Sequence, residues 1–569
     1  MKETLSIETE RMDDIPLLMM QMQYMRIAPL LDKHIPTHGR RKGVSVGDLC
    51  MVWLTYILSQ ADHRMNHVQE WASQRLETLR GCGMPVLSVL DLTDDRLADV
   101  LRLLSHDESW QAFEQELMGQ LLRVYDRSAS CVRIDTTTVS SYAEVTEQGL
   151  LQLGHSKDHR PDLPQLKLAL ASLDPLGMPL ATEVLSGEKA DDPLYLPLIA
   201  RARSGLGRQG LLYVGDCKMA ALSTRATLAA QGDFYLCPLS ALQAPAEQVR
   251  TEVDRQRTQS APLLEVVRLD AEGKPTCLAR GYETRETVEA SVEGSSQNWQ
   301  ERRLIVQSLA AAHSAGVSLQ ERLQKAEAAL QAVTTRRQGK ARLVERPQIE
   351  EAIAAILKEF RVQGLLLVEI TEHLSERPVR AYRGRLNEVR RDLTFTLTTS
   401  RDEQAIEEAM SHLGWRVYAT NQSRELLRLE QAVEAYRDEY LVERNFSRLK
   451  GRPLGLAPLY VQRDDHRIGL VRLLTLALRV LTLLEGVVRQ HLAEQGEELA
   501  GLFAGNPKRH TAQPTTERLL EAFGNITLTV VSAPGFVQRH ITPLSPLQQQ
   551  ILTLLGFSPA VYFRLADDS

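Results

Sequence analysis

What most constrains this chain is the order of its apolar segments between residues 131 and 239. CVRIDTTTVSSY (131–142) is rich in Val, Ile and Thr, which pack well on a pleated surface. LKLALASLD (166–174) and PLATEVLSG (179–187) follow, joined by the turn residues Pro175, Leu176 and Gly177. Asp192 as N-cap with Pro193 behind it starts a helix. LLYVGD (211–216) is continuously apolar, as a strand covered on both faces must be. A second helix (about 219–230) and the strand DFYLCPL (233–239) complete the run. The sequence therefore predicts three strands in meander, helix, strand, helix, strand.

That is the order of an RNase H-like core: an α/β fold with a mixed five-stranded sheet flanked by helices. The flanks define further domains. Residues 1–128 show apolar positions at three and four spacing (46–58, 67–79, 94–104, 109–126) and predict a helical N-terminal domain, either a scaffold or a reader of DNA ends. Residues 129–240 are the first part of the core, and 241–412 read as a large inserted α+β domain with no repeat period. The core resumes at 413–495 with a strand at 415–421, a long helix expected over Ser423–Leu449 and another over Asp465–Leu492. The tail, 496–569, is expected to serve dimerisation or DNA contact.

Composition excludes several classes. The chain has 569 residues, 43% hydrophobic and 25% charged, which is globular and enough for several cores. Its six cysteines are scattered with no CxxC pair, so a zinc ribbon or dithiol site has no support, and a reducing compartment suits them. No apolar leader opens the sequence. The most apolar stretch, Ile468–Leu484, carries Arg472 and Arg479 on one face, so it reads as a buried amphipathic helix and no membrane span is expected. Aromatics are only 5%, which argues against stacking platforms as the main binding mode.

Three acids carry the candidate chemistry. Asp135 and Asp216 close two of the predicted strands; side chains at one end of a sheet meet although 81 residues separate them. Glu443 is the candidate from a helix: Tyr436, Glu443 and Lys450 are spaced by seven and share a helical face. Hard carboxylate oxygens suit Mg²⁺, which takes one or two of them plus phosphate oxygens. Paired ions can then drive an in-line displacement at phosphorus with no protein nucleophile. The net charge of −6 hides a local excess between 436 and 480, where nine Lys and Arg face five Asp and Glu. Arg448, Lys450, Arg452, Arg463, Arg467, Arg472 and Arg479 lie there; Arg336, Arg337, Lys340, Arg342 and Arg380, Arg383, Arg385, Arg390, Arg391 form two more clusters. In GHSKDHRPDL (154–163), Gly154, Pro161 and Pro164 indicate a loop, so Ser156, Lys157, His159 and Arg160 read as phosphate contacts beside Asp135, in preference to a metal set of His155, Asp158 and His159.

On these residues the sequence resembles bacterial insertion-sequence transposases of the DDE type, in the group whose last acid sits in a Tyr-x2-Arg-x3-Glu-x6-Lys motif. Tyr436, Glu443 and Lys450 match it; Glu439 stands at the Arg position and is a second candidate for the third acid. GHSKDHRPDL, DPLGMPL (174–180), SGEKADD (186–192) and LTDDRL (92–97) extend the likeness over about 90–460. The resemblance implies metal-dependent cleavage at terminal inverted repeats and strand transfer into target DNA. Asp135, Asp216 and Glu443 would be the catalytic, Mg²⁺-holding acids, with Mn²⁺ as a substitute. Tyr436 and Lys450 would grip the double-stranded DNA end, with Lys157, His159, Arg160, Arg448 and Arg452 as further contacts. It also implies a homodimer on paired ends and a bacterial cytoplasmic, nucleoid-associated location. The alternative is a cleavage-deficient DNA-binding relative acting as repressor or accessory subunit; another is a nuclease of the same core without strand transfer.

Overall fold

A computed structural model of the chain describes residues 5–37, 41, 43–125, 130–259, 262–269, 273–292, 294–335, 343, 345–379 and 388–566. It is a mixed α/β protein that divides into two units: residues 1–237, 288–299 and 434–569 form the first, and 238–287 with 300–433 the second.

The first unit opens with strand β1 (Ser6–Arg11), then helices α1 (Ile15–Tyr24), α2 (Val46–Gln60), α3 (Asp94–Leu104) and α4 (Asp107–Val124). The sheet follows: β2 (Cys131–Ser140), β3 (Gln165–Leu173), β4 (Met178–Ser186), helix α5 (Tyr195–Leu206), β5 (Leu212–Gly215), helix α6 (Leu222–Ala230) and β6 (Phe234–Pro238). These five strands stand in the order β4-β3-β2-β5-β6. β2–β3 and β3–β4 run antiparallel, while β2–β5 and β5–β6 run parallel. All nine residues of β3 are buried, which explains its nearly unbroken apolar sequence.

Two helices follow where one was expected over Ser423–Leu449: α7 (Leu429–Arg437) and α8 (Tyr440–Lys450). The break has a cause. The Ala435 carbonyl, which Glu439 N–H would use in a continuous helix, accepts instead from the buried Arg133 guanidinium on β2. Glu439 N–H turns to Tyr436 O at 3.1 Å, and α8 restarts from there. The predicted helix over 67–79 is likewise two, Met65–Ser73 and Leu76–Gly81. Asp192 begins a short 3₁₀ turn, Asp192–Leu194, and makes no side-chain cap.

Helix α9 (Asp464–Gln495) runs through the core of this unit. Arg479, fully buried, donates to Pro179 O at 2.8 Å and pairs with Glu114; Arg472 pairs with Asp107 and donates to Leu104 O at 2.9 Å. The expected buried helix is present, and Arg472 and Arg479 on it each meet a carboxylate, as burial of a charge requires, although Arg472 Nε and Arg479 Nη1 have no hydrogen-bond partner. Gly469 lets α9 approach α3: an added Cβ would sit 2.1 Å from Leu101 O. Among the described residues no helix is long and apolar enough to cross a membrane.

The N-terminal region is not all helix. β1 pairs antiparallel with β7 (Thr527–Ala533), which pairs with β8 (Phe536–Ile541), so the tail supplies the partners of the first strand. SIETER lacks an apolar face and depends on these main-chain bonds.

In the second unit, the strand Trp415–Thr420 pairs antiparallel with residues 302–307, and Leu264–Leu269 pairs antiparallel with residues 275–281. Val253, Tyr282, Ile305 and Val417 cluster there. Helices Leu309–Val333 and Arg346–Glu359 pack with the hairpin Leu366–Val379/Glu388–Arg401 through Leu319, Leu323, Leu330, Ile349 and Phe395.

Asp14, buried before α1 with Ser59 Oγ donating to it at 2.7 Å, has its carboxyl pushed by burial up to about 7. Between the ordinary carboxylate range and 7 the folded chain holds the extra proton, so stability falls as pH rises through that window. Asp14→Asn keeps the Ser59 acceptor and removes the titration; the melting-temperature difference between pH 5 and pH 8 should shrink relative to the parent chain.

Candidate functional site: a carboxylate centre at one end of the sheet

Strand register builds the centre. Cys131 lies opposite Leu212 and Ile134 opposite Gly215 in the parallel β2–β5 pair. One step further puts Asp135 on β2 beside Asp216, which follows β5. Burial pushes the Asp135 carboxyl up to about 6; Lys157 and the Thr136 N–H (2.7 Å) draw it down, while Asp216 and Glu439 push it up. Two aspartates and a helix acid therefore share one field.

Asp216 is held by donors on a single oxygen. Tyr195 OH lies 2.6 Å from its Oδ1 and the Lys218 N–H 2.9 Å from the same atom. Tyr195 is 1% exposed, and burial followed by the Asp216 charge keeps its phenol well above the ordinary range, so it stays a donor. This residue was not foreseen. Its trace in the sequence is only its place just after Pro193, in the first turn of α5.

Arg133, two residues before Asp135, is 2% exposed. It pairs with Asp174 at 2.7 Å and donates to the Ala435 carbonyl, fixing the end of α7 to β2. Asn445 on α8 donates to Ser172 Oγ at 3.2 Å and to Gly177 O, fixing α8 to β3 and its turn. Leu441, Val442, Asn445, Phe446 and Leu449 are buried. Glu443 and Ser447 are therefore left on the exposed face, with Lys450 at its end.

The sequence candidates are distributed accordingly. Glu439, half-buried in the break before α8, is the helix acid coupled to the aspartates: burial pushes it up, and Glu443 and Asp216 push the same way. Glu443 is exposed one turn later and acts on Glu439. Tyr436 lies on α7, so it does not share a continuous helix with Glu443 and Lys450; its side chain bonds Glu439. Lys450 Nζ pairs with Asp158 at 2.6 Å, next to Lys157. Lys157 itself reaches the centre, with Nζ 3.6 Å from Asp135 Oδ1. His159 and Arg160 are exposed; Arg160 pairs with Asp162 at 2.8 Å, and His159 adopts φ +56°.

Arg448 departs from its expected role. It is buried, pairing with Glu485 at 2.7 Å and Glu517 at 2.8 Å, because it lies on the inner face of α8 toward α9. Arg467, Arg472 and Arg479 are buried and paired in the same way. Arg452 is exposed at a cleft of about 690 Å³ lined also by Asp62, His63, Arg64, Trp71 and Tyr460. Arg336, Arg337, Lys340, Arg342, Arg380, Arg383 and Arg385 lie outside the described residues, as does the side chain of Arg390; Arg391 pairs with Glu376 at 2.8 Å.

Among the described residues no group of three His, Cys, Asp or Glu side chains is placed so that it could hold a metal ion. The donor set nevertheless fits a hard divalent cation of the Mg²⁺ kind, which takes one or two carboxylates and completes its shell with water and phosphate oxygens. Asp135 and Asp216 are adjacent, and a cation between them would relieve their mutual repulsion.

No family model and no curated protein matches the chain. Among solved structures, a piggyBac transposase synaptic complex with hairpin DNA aligns over 89% of this chain and 79% of that one, at 7% identity and a TM-score of 0.32. At that score the likeness carries no argument.

Tyr195→Phe leaves Asp216 Oδ1 with the Lys218 N–H alone. Divalent-ion affinity, read by calorimetry with Mn²⁺, should weaken by about 10–100-fold, as loss of a partner behind a ligand does.

Proposed function

We propose that this chain is a metal-dependent DNA transposase with an RNase H-like core. It would cut at the ends of an insertion sequence and join them to target DNA as a homodimer on paired ends. The observation that carries this reading is the side-by-side placement of Asp135 and Asp216 by strand register, with the acid-bearing segment of Glu439 and Glu443 tied against the same strands. The strand order β4-β3-β2-β5-β6, antiparallel then parallel, is the order such a core requires, and it supports the assignment.

Mg²⁺, when bound, would supply charge on the phosphate and an activated water. The chain's own residues do the rest. Asp135 and Asp216 would hold the ion, and Tyr195, by occupying Asp216 Oδ1, would leave the other Asp216 oxygen for it. Glu443, carried by the motif, and Glu439, coupled to the aspartates, offer the third carboxylate. Lys450, paired with Asp158 on the facing loop, would line the approach for a phosphate backbone.

The test uses a duplex carrying the inverted repeats that flank the coding sequence, with Mg²⁺. Asp135→Asn should cut about 10³-fold more slowly, the several kcal/mol a bound ion contributes, while binding the duplex as the parent does. Glu443→Gln and Glu439→Gln rank the two helix acids: the larger rate loss marks the metal ligand. Binding without cutting by the parent chain in both Mg²⁺ and Mn²⁺ would replace the enzyme with a repressor or accessory subunit.

A pH profile adds a second check. Asp135 must be ionised to take the ion, and its carboxyl stands at about 6. Cutting should fall away below that pH at limiting Mg²⁺, and the midpoint should move lower as Mg²⁺ is raised, because ion and proton compete for the same oxygens.

A further inference from the structure

Lys157 is unlike the other cations around the centre. Lys450 is engaged by Asp158 at 2.6 Å, Lys167 by Asp191 at 2.6 Å, and Arg133 by Asp174 at 2.7 Å. Lys157 instead reaches from its loop into the carboxylates themselves. Its Nζ lies 2.6 Å from Thr136 O, 2.7 Å from Thr136 Oγ1, 3.6 Å from Asp135 Oδ1 and 4.0 Å from Asp191 Oδ2. Four oxygens surround one ammonium. Its main-chain N–H donates to Thr138 Oγ1 at 3.0 Å, so both ends of the residue are bound to β2. The loop is fixed on either side, by Asp158 on Lys450 and by Gln165 Nε2 donating to His155 O at 3.0 Å. A lysine that merely tracks a DNA backbone keeps its ammonium in water; this one is aimed inward and held there.

We propose that Lys157 is a catalytic residue, whose ammonium is a fixed positive charge on the scissile phosphate at the Asp191 side of Asp135. The inference rests on the strand-cleavage reading above and adds to it a second source of charge that belongs to the chain itself. In the cut, the water oxygen bonds to phosphorus and gives up a proton to solvent, while the bond from phosphorus to the 3′ oxygen breaks. The electron pair stays on the 3′ oxygen, which takes a proton from solvent. Lys157 forms no covalent bond; it hydrogen-bonds to the oxygens on which negative charge grows. A preplaced donor acts most strongly where charge develops in a site closed to water. Two sources of positive charge flanking the phosphorus are what an in-line displacement needs.

The test compares the parent chain with Lys157→Ala, Lys157→Met and Asp135→Asn on the flanking-repeat duplex. It measures binding in Ca²⁺ by anisotropy, the single-turnover cutting rate in Mg²⁺ at saturating DNA, and melting temperature. Lys157→Ala should bind within about threefold of the parent and cut roughly 10²–10³-fold more slowly, the loss seen when one charge-stabilising donor is removed. Added ethylamine should restore the alanine chain at least tenfold and do nothing for Asp135→Asn. Should the alanine chain melt early, Lys157→Met keeps the stem, lacks only the charge, and should show the same rate loss.

Three results overturn the role: cutting at the parent rate by either variant, a rate loss matched by an equal loss of binding, or no restoration by any amine from methyl to propyl. A parent chain that binds the duplex and cuts it with neither Mg²⁺ nor Mn²⁺ removes the strand-cleavage reading and Lys157's role together. A cutting parent with an indifferent Lys157→Ala removes Lys157 alone.

Discussion

The parallel pairing of β2 with β5 is the constraint on which the rest depends. Its hydrogen bonds fix Ile134 against Gly215, and the next residue on each strand is an aspartate. A slip of one residue would turn Asp135 to the other face of the sheet and part it from Asp216. The wholly buried β3 on one side and β6 on the other leave β2 and β5 no freedom to slip. Two carboxylates brought together repel one another, and the surrounding core bears that cost.

The second requirement is a helix acid delivered to the same place. Arg133 meets it through a competition for one acceptor: by taking the Ala435 carbonyl it ends α7, and Glu439 falls in the break. Asn445 then sets the rotation of α8. Both residues are buried polar groups with specific partners, and in such groups a lost partner costs more than the bond is worth. The arginines of α8 and α9 serve the same end. Arg448 and Arg479 meet buried glutamates and tie helices together.

Much of this was legible in the sequence, for identifiable reasons. The strands of the core came through because β-branched and apolar runs are bounded there by Pro, Gly and Asp, so their ends fall close to those observed. Asp216 does follow the end of β5, but Asp135, expected to close its strand, stands inside β2, which runs on through the β-branched Thr136–Val139 to Ser140. The break before α8 was not legible, because Asp438 and Glu439 are no helix breakers and the agent, Arg133, lies some 300 residues away. Tyr195 escaped for a similar reason: nothing local distinguishes a tyrosine whose hydroxyl meets an acid from one that fills a core. Arg448 was misread because charge density along the chain does not tell an inner helix face from an outer one. β1 could not be foreseen either, since SIETER has no apolar face and its partner strand lies more than five hundred residues away.

That last pairing has a consequence in time. Ser6 sits against Ser532, so β1 must wait for the synthesis of more than five hundred further residues before it can close its ladder. The core strands, by contrast, find their neighbours within about a hundred residues of one another. Synthesis therefore finishes the carboxylate-bearing sheet early and seals its N-terminal flank late, and a polypeptide cut short in its last fifty residues would carry a nearly complete centre on an open seam.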